Sequence, residues 1–443
     1  MERVLCKALL RAIPNNREVF DAEWNNKAVI VKVFSQRLVS RIRFRREWGG
    51  LAKLGRRGIN APKPLFCGKT AKGKLAIVTE KVADSQTIAE VYRKQADKVK
   101  QVELLIQVAT ELARQHEKGV LQKDLHLGNF LLNGPASPKG YAEAGDKIVM
   151  LDPAEIRFFH RPIGRKKSVS QLALLTNKLD SKDVETARSV WREYFNGRKW
   201  QFRESDEQLL RKEAARHKRN WLRRALRKCL RTSKKFLRIK KDGYTAVFNG
   251  QFIAGTEPID FLRSIDELME KGVILKRGNT SFVSRLAFNG RDIVIKRYNH
   301  KGFFHSLRHT LKKTRAKQSW LYGHRLTWLG IPTPKPLAYI EQRKGGLAWK
   351  SYLITEYVEG QKLCNLPESD GVTRQRRSDV IRELMGLLDN LGQYRISHGD
   401  LKHSNILITN NGPVLTDLDA MKVHRLNWTY KKRRIKDKER LIR

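Results

Sequence analysis

Residues 397-SHGDLKHSNILI-408 place Asp400 five positions before Asn405, and the asparagine precedes a run of three aliphatic residues. Asp and Asn are ordinary turn residues, and a solvated loop before a strand uses both freely. The other interpretation is a loop in which the carboxylate and the carboxamide share a chemical task. The interval alone does not separate the two.

A second stretch, 121-LQKDLHLGNFLL-132, has the same interval between Asp124 and Asn129. Four further blocks recur in the same order in both halves of the chain. They are 29-VIVKVF-34 with 293-IVIKRY-298, 58-GINAPKPL-65 with 330-GIPTPKPL-337, 77-IVTEKV-82 with 353-LITEYV-358, and 148-IVMLDPAE-155 with 413-PVLTDLDA-420. Five blocks in one order predict two copies of one domain.

Each copy has the same expected secondary structure. The β-rich runs 17–34 and 281–298 predict hairpins that end on a lysine-bearing strand. A helix, a proline-containing turn and a strand with a Thr-Glu dipeptide follow. A long amphipathic helix then precedes the Asp-to-Asn loop, and a short strand ending in Asp152 or Asp417 comes after it. The pattern predicts an α+β fold, with a small β-rich lobe and a helical lobe in each copy.

The polar residues stand in an order that suits phosphoryl transfer. That reaction requires a cation on the nucleotide phosphates, oxygen ligands for magnesium, and a carboxylate beside the attacking hydroxyl. Protein kinases supply them as strand lysine, helix glutamate, loop aspartate, asparagine and metal-binding aspartate. Taken alone, Lys32 and Lys296 fit ordinary edge-strand lysines. The ordered set favours two tandem protein-kinase-like domains, and in the first copy it is Lys32, Glu47, Asp124, Asn129 and Asp152.

The two Asp-to-Asn loops, the GIPTPKPLA turn and the TEYVEG hinge resemble the bacterial lipopolysaccharide core kinase family. That family phosphorylates heptose or Kdo sugars and is related to eukaryotic-like protein kinases. The resemblance covers nearly the whole chain except its middle. It implies a kinase fold more strongly than it implies any particular acceptor sugar.

The resemblance also implies a role for each candidate site residue. Asp124 and Asp400 would be the catalytic bases that receive the proton of the sugar hydroxyl. ATP and Mg²⁺ would be the cofactors. The phosphates would be bound by Lys32, with its partner Glu47, and by Lys296. Glu80 and Glu356 would lie at the hinge beside adenine. The metal would be held by Asn129, Asp152, Asn405 and Asp417.

Both copies depart from the kinase pattern. Neither has a GxGxxG loop, so a glycine-poor hairpin is expected to cover the phosphates, around 23–26 in the first copy and 278–281 in the second. Gln122 stands where the second copy has His398. Aligning the two proline turns places Ser319 opposite Glu47, so the second copy lacks the expected partner of its lysine. We therefore interpret the first copy as the more fully equipped catalyst.

Charge and cysteine content restrict the environment. Lysine and arginine outnumber aspartate and glutamate 91 to 45, a formal net charge of +46, which predicts a polyanionic partner. The four cysteines are scattered without a CxxC pair, which favours a reducing cytoplasm. No run of apolar residues is long enough to span a bilayer, so membrane contact is expected to be peripheral. The diffuse charge and the lack of a nucleic-acid module favour an anionic membrane surface over nucleic acid. The resemblance implies that this surface is the inner membrane and that the partner is the lipopolysaccharide core glycolipid.

The middle of the chain is a basic stretch, 216-RHKRNWLRRALRKCLRTSKKFLRIKK-241, with apolar residues at helical spacing. Such a helix lies in a membrane interface or packs its apolar stripe on a kinase lobe, and the sequence leaves both open. The predicted organisation is a first kinase-like domain (1–205), a basic helical linker (206–243), a second kinase-like domain (244–430) and a flexible basic tail (431–443).

These observations predict an ATP-dependent kinase of a heptose or Kdo hydroxyl in the lipopolysaccharide inner core. A second hypothesis is a pseudokinase adaptor that binds nucleotide or partners without chemistry, motivated by Ser319 and Gln122. A third keeps the catalyst and changes the acceptor to protein hydroxyls or a small sugar.

Overall fold

The computed structural model describes residues 3–133, 148–176, 184–299, 313–345, 347–365 and 371–442. The chain divides into two compact units, Met1–Arg219 and Asn220–Arg443. Helix α6 (Glu204–Lys228) contains the boundary. Among the described residues no helix is long and apolar enough to cross a membrane.

The first unit begins with a five-stranded antiparallel sheet of order β1-β2-β3-β5-β4. Its strands are β1 (Leu5–Ile13), β2 (Arg17–Trp24), β3 (Lys27–Phe34), β4 (Pro64–Lys69) and β5 (Leu75–Glu80). Helix α1 (Leu38–Arg56) packs on one face, where Leu51 contacts the cluster that holds Phe34 and Ile77. The alternation of β3 turns Lys32 toward the helix side and leaves Val29 and Val31 in the cluster on the other face.

The helical lobe of the first unit follows. Its helices are α2 (Ile88–Lys94), α3 (Lys98–Glu117), α4 (Arg165–Thr176) and α5 (Val184–Gly197), with the first part of α6. Short strands form the sheets β6-β8-β9 and β10-β7 from β6 (Ser85–Thr87), β7 (Val120–Gln122), β8 (Phe130–Asn133), β9 (Ile148–Met150) and β10 (Ile156–Phe158). The apolar stripe of α3 is buried in one large core together with residues of α4, α5 and α6.

The second unit has a seven-stranded sheet of order β11-β12-β16-β17-β15-β14-β13. The last five strands repeat the sheet of the first unit. They are β13 (Val273–Arg277), β14 (Ser281–Phe288), β15 (Arg291–Tyr298), β16 (Pro336–Lys344) and β17 (Leu347–Glu356), preceded by β11 (Phe236–Lys241), β12 (Tyr244–Asn249) and helix α7 (Pro258–Lys271). Phe261 and Leu262 of α7 pack against Ile293 and Ile295 and so cover the sheet face opposite Lys296.

Helix α8 (Arg315–Leu329) packs on this sheet, as α1 does in the first unit. The remaining elements of the second unit form its helical lobe. They are β18 (Gln361–Lys362), α9 (Gly371–Gln393), β19 (Ile396–Ser397), β20 (Ile406–Thr409), β21 (Gly412–Leu415), β22 (Lys422–Val423) and α10 (Asn427–Ile442). In both units a glycine with positive φ, Gly58 or Gly330, ends the helix before the proline turn. A side chain is disfavoured at that backbone angle, which is why each GI-x-x-P-K-P-L block begins with glycine.

Equivalent backbone hydrogen bonds recur in the two units. Ile59 N donates to Leu54 O and Ile331 N to Leu326 O, at 3.0 and 2.9 Å. The strand registers also agree, with Lys32 opposite Ile77 and Lys296 opposite Leu353. The repeated sequence blocks therefore specify repeated geometry.

Two expectations about the chain's basic segments change. The tail from residue 431 is not a free end but lies within α10, where Tyr430 and Asp437 are buried. The 206–243 range contains most of α6 and all of β11, and β11 belongs to the sheet of the second unit. The apolar stripe of α6 packs on that unit through Leu222 and Leu226, because its cluster includes Trp320 of α8.

The hairpin expected over the phosphates of the first copy is also misplaced. Residues 23–26 form the turn between β2 and β3, whereas the counterpart of 278–281 is the turn between β1 and β2. Register fixes this equivalence, because Arg17 pairs with Phe34 as Ser281 pairs with Tyr298. The prediction failed because β1 is exposed along almost its whole length and has no alternating pattern to identify it.

Candidate active site

A chain of alternating charges lies between the sheet and α1 in the first unit. Lys32 Nζ donates to Glu47 Oε1, and Arg17 Nη1 donates to Glu47 Oε2 at 2.9 Å. Arg17 is only 5% exposed, and Glu47 is fully buried. The predicted lysine–glutamate pair is therefore present, together with a buried arginine that the sequence did not identify.

Arg17 continues the chain of charges to the predicted metal aspartate. Its Nη1 and Nη2 donate to the two oxygens of Asp152, both at 3.0 Å, and Arg43 Nη2 lies 3.4 Å from each oxygen. Burial alone would raise the pKa of Asp152. The hydrogen bonds and charge of Arg17, with the charges of Lys32 and Arg43, outweigh burial and lower that pKa to about 2.

The Asp-to-Asn loop holds its own shape. Asn129 Nδ2 donates to the backbone oxygen of Asp124 at 2.7 Å, which explains the five-residue interval. Leu151 N donates to Asn129 O at 2.7 Å, so the asparagine lies beside the strand that ends in Asp152. The Asp124 side chain is 76% exposed, so its carboxylate is open to solvent.

The second unit builds its lysine site differently. Lys296 Nζ donates directly to Asp417 Oδ1 at 2.6 Å and lies 3.9 Å from Asp419 Oδ2. Ser319 is buried and shares a 3.3 Å hydrogen bond with the hydroxyl of Tyr298. Burial would raise the pKa of Asp417, but the charge of Lys296 is the main cause that lowers it to about 2. Asp419 is held by Arg315, whose Nε lies 2.7 Å from Oδ2.

The second loop repeats the first and adds a cation. Asn405 Nδ2 donates to Asp400 O at 2.9 Å and to Asp400 Oδ2 at 3.1 Å, and Thr416 N donates to Asn405 O at 2.9 Å. Lys402 Nζ lies 3.2 Å from Asp400 Oδ2, where the first copy has His126. Asp152 and Asp417 share a left-handed backbone with φ 57°.

Residues 398 and 122 differ in bonding as well as in type. His398 Nε2 lies 2.9 Å from the backbone oxygen of Thr416, and burial lowers its pKa, so the neutral ring donates there. Gln122 instead donates to Gln115 Oε1 at 2.9 Å. His398 is therefore bonded to the backbone just before Asp417, whereas Gln122 is bonded to α3.

A cleft of about 1170 Å³ opens in the first unit beside Lys32, Asn129 and Asp152. Arg11 and Lys81 also line it, and its basic side chains outnumber its acidic ones, which suits a polyphosphate. The hinge part of the wall is formed by Lys81 and Val82. The backbone N–H groups of Glu80 and Glu356 donate hydrogen bonds to Lys63 O and Lys335 O, both at 2.9 Å.

Sequence reasoning missed several charged residues of these sites. Arg43 and Arg315 occupy the same position when the proline turns are aligned, and both reach the aspartate turn, so that alignment contained a signal for them. Asp419 follows Asp417 by two residues and was visible in the same block. Arg17 had no local signal, because its partner Asp152 is 135 residues away.

The oxygen donors in each unit fit Mg²⁺. Mg²⁺ is a hard ion that proteins hold through one or two carboxylates together with substrate phosphates. In each unit the asparagine uses its Nδ2 within the loop, which leaves the amide oxygen as a donor beside the aspartate. Among the described residues no three His, Cys, Asp or Glu side chains gather as a metal-binding group. The predicted donors are one carboxylate and one amide in each unit, and Asp419 lies beside Asp417 in the second.

Comparison with known proteins gives one family. A family model described as "Lipopolysaccharide kinase (Kdo/WaaP) family" matches residues 22–202 and 269–443. The two matched segments contain the two sets of candidate site residues. No curated protein matches the chain.

Proposed function

This chain belongs to the lipopolysaccharide kinase (Kdo/WaaP) family, and on that premise we propose that it transfers the γ-phosphoryl group of ATP to a heptose or Kdo hydroxyl of the lipopolysaccharide inner core. The proposed location is the cytoplasmic face of the inner membrane. The net charge of +46 supports an anionic glycolipid as the substrate.

One observation carries the proposal. In each unit a backbone hydrogen bond joins the loop asparagine to the strand of the aspartate. Lys296 donates directly to Asp417, and Lys32 is connected to Asp152 through Glu47 and Arg17. The lysine, the asparagine and the aspartate therefore line one place, as phosphoryl transfer requires.

In the proposed mechanism the first unit binds the triphosphate in the cleft beside Lys32. Lys32, oriented by Glu47, neutralises phosphate charge, and Arg11 extends the positive wall. Mg²⁺, held by Asn129 and Asp152, would supply charge neutralisation at the transferring phosphoryl group. Asp124 receives the proton of the sugar hydroxyl, and its exposure leaves room for a glycolipid acceptor.

The structure of the second unit favours a second candidate role for that copy. Lys296 is paired with Asp417 itself, and Ser319 provides no carboxylate to hold the lysine apart from the aspartate. In this second role we propose that the second unit binds nucleotide or a partner without turnover. In that case the chain is one catalytic copy with one binding copy.

The test is phosphate incorporation by the full-length protein with ATP, Mg²⁺ and core glycolipid. Asp124→Asn, Asp400→Asn and the double variant are compared. The control is Asp379→Asn on α9, a half-exposed carboxylate paired with Arg382 of the same helix. We expect Asp124→Asn to lower incorporation at least a hundredfold, since a positioned base contributes about 10² to 10⁴ in rate. Incorporation that survives the double variant would refute the assigned bases, and faster transfer to peptides or free sugars would change the acceptor.

A further inference from the structure

Helix α10 presents two opposite faces. Tyr430 and Asp437 are buried on one side, seven residues apart. On the opposite side Trp428, Ile435 and Ile442 are 67, 57 and 85% exposed. Because seven residues make nearly two helical turns, these three form one apolar stripe along the outer face, beside the exposed Glu439.

Cations border the stripe. Lys431 and Lys438 lie on one side of it and Lys432 and Lys436 on the other, and all four are exposed. An apolar stripe with tryptophan at one end and lysines along both edges is typical of a helix in the plane of a lipid surface. Lysine suits the edges because its alkyl chain follows apolar surface while its ammonium group reaches the headgroups.

The first unit shows how the same fold covers this region. There the helix after the aspartate strand, α4, is covered by α6 through Arg165 with Asp206 and Ser170 with His217. Helix α3 is covered by α5, whose Tyr194 hydroxyl lies 2.5 Å from His116.

The described part of the second unit has no counterpart of α5 or α6. Ile381 and Met385 of α9 are exposed, whereas the equivalent Leu105 and Ala109 of the first unit are buried. The second unit therefore exposes helix faces that the first unit covers with its own chain.

We propose that the outer face of α10 docks on an anionic phospholipid surface. Trp428, Ile435 and Ile442 enter the boundary between headgroups and acyl chains, and the four lysines lie over the phosphates. The inference rests on the proposed function at a membrane and names the surface that reaches it. It assigns membrane contact to α10, whereas the apolar stripe of the basic helix in the middle of the chain packs on the second unit.

The inner face of α10 connects this docking surface to the second site. Asp437 accepts hydrogen bonds from His398 N and Gly399 N at 2.8 and 2.9 Å, and Arg440 donates to Gly399 O. The backbone just before Asp400 is therefore held by the helix that docks. Docking would fix the distance between the lipid surface and the Asp400 loop.

The experiment is vesicle co-sedimentation of the full-length protein without nucleotide or glycolipid. Vesicles of phosphatidylglycerol with phosphatidylethanolamine are compared with vesicles of phosphatidylcholine. The variants are Trp428→Ser with Ile435→Ser, and Lys432→Gln with Lys436→Gln. The control, Arg224→Gln with Arg227→Gln, removes the same charge from the exposed side of α6.

We expect tight binding to the anionic vesicles only. Each lost cation should weaken the partition coefficient about fivefold, equivalent to about 1 kcal/mol, so the lysine pair should cost about 25-fold. The apolar pair should cost at least tenfold, and the α6 control should bind within about twofold of the unchanged protein.

Three results would overturn the inference: unchanged binding by both α10 variants, loss of binding in the α6 control, or conversion of a dimer to a monomer by the α10 variants in light scattering. The last would identify a self-association face. Because the assay contains neither ATP nor acceptor, its outcome is separate from that of the kinase assay. If the protein transfers phosphate but does not bind the anionic vesicles, the proposed function stands and the proposed docking surface is wrong.

Discussion

Arg17 offers the sharpest test of the charge arrangement in the first unit. We propose to replace it with serine, the residue at the equivalent position 281, and to combine that change with Glu47→Ser, which reproduces Ser319. The double variant converts the ion network of the first copy into that of the second. Lys32 should then pair with Asp152 as Lys296 pairs with Asp417.

The magnitude follows from burial and pairing. Removing one partner from a buried ion pair costs about 3 to 5 kcal/mol. Glu47 keeps Lys32 and Asp152 keeps Arg43, so the lower end applies. The net lowering of the pKa of Asp152 from 3.8 to about 2, in which the facing cations outweigh burial, corresponds to about 2 kcal/mol. Arg17→Ser should therefore cost about 2 to 3 kcal/mol at pH 7.

Hydrogen exchange with mass spectrometry measures this cost locally in the full-length protein. Slow amides of β3 and β5 should exchange about 30 to 150 times faster in Arg17→Ser, because each 1.4 kcal/mol is tenfold in the opening equilibrium. Peptides of β15 and β17 report on the second unit in the same sample and should not change. The double variant should be less destabilised than the sum of the single variants, by about 1 to 3 kcal/mol.

Two results would refute the reasoning. If Arg17→Ser changes exchange in β3 by less than threefold, the buried guanidinium does not stabilise the unit. If the single effects add without coupling, Arg17 and Glu47 act independently despite their 2.9 Å contact.

Two further predictions follow from the packing and titration of the first unit. A Cβ on Gly50 would lie 2.9 Å from Pro153 Cβ and from its backbone oxygen, whereas one on Gly49 would meet nothing within 4 Å. Gly50→Ala should therefore displace α1 from the aspartate turn, lower the free energy of unfolding by about 1 to 3 kcal/mol and abolish most phosphate incorporation. Gly49→Ala should raise the free energy of unfolding by up to about 1 kcal/mol. Equal thermal stability of the two variants would contradict this. Burial lowers the pKa of His116 from 6.5 to about 3, so its contribution to stability is fully present above pH 6.5 and is lost as the pH falls toward 3. Between pH 6.5 and 5 the first unit should lose about 1.6 kcal/mol in urea or exchange measurements. A His116→Gln variant that kept the same slope would assign it to another group.

Local relations in the chain made much of the site predictable. The five-residue interval reflects a hydrogen bond from each asparagine to the backbone of its aspartate, so the sequence pattern indicates the shape of the loop. The alternation along 29-VIVKVF-34 separates Lys32 from the valines of the sheet core, as in the structure. Glu47 could be placed because α1 has the same relation to the proline turn as α8.

What failed lacked a local pattern. Strand β1 is exposed along most of its length, so nothing in its residues indicates a strand that lines the cleft. Helix α10 looked like a free basic tail because its buried positions, Tyr430 and Asp437, are polar. Only the tertiary structure supplies the backbone N–H groups of His398 and Gly399 that bond Asp437 inside.

The sequence by itself determined the duplication and the kinase-like fold and indicated the candidate residues for phosphoryl transfer, because short intervals and strand alternation are written in neighbouring residues. Only the tertiary structure decided which cation meets which carboxylate. With 91 lysines and arginines for 45 acidic residues, every carboxylate has many possible partners. Burial selects among them across 135 residues for Arg17 and Asp152, and across 121 for Lys296 and Asp417.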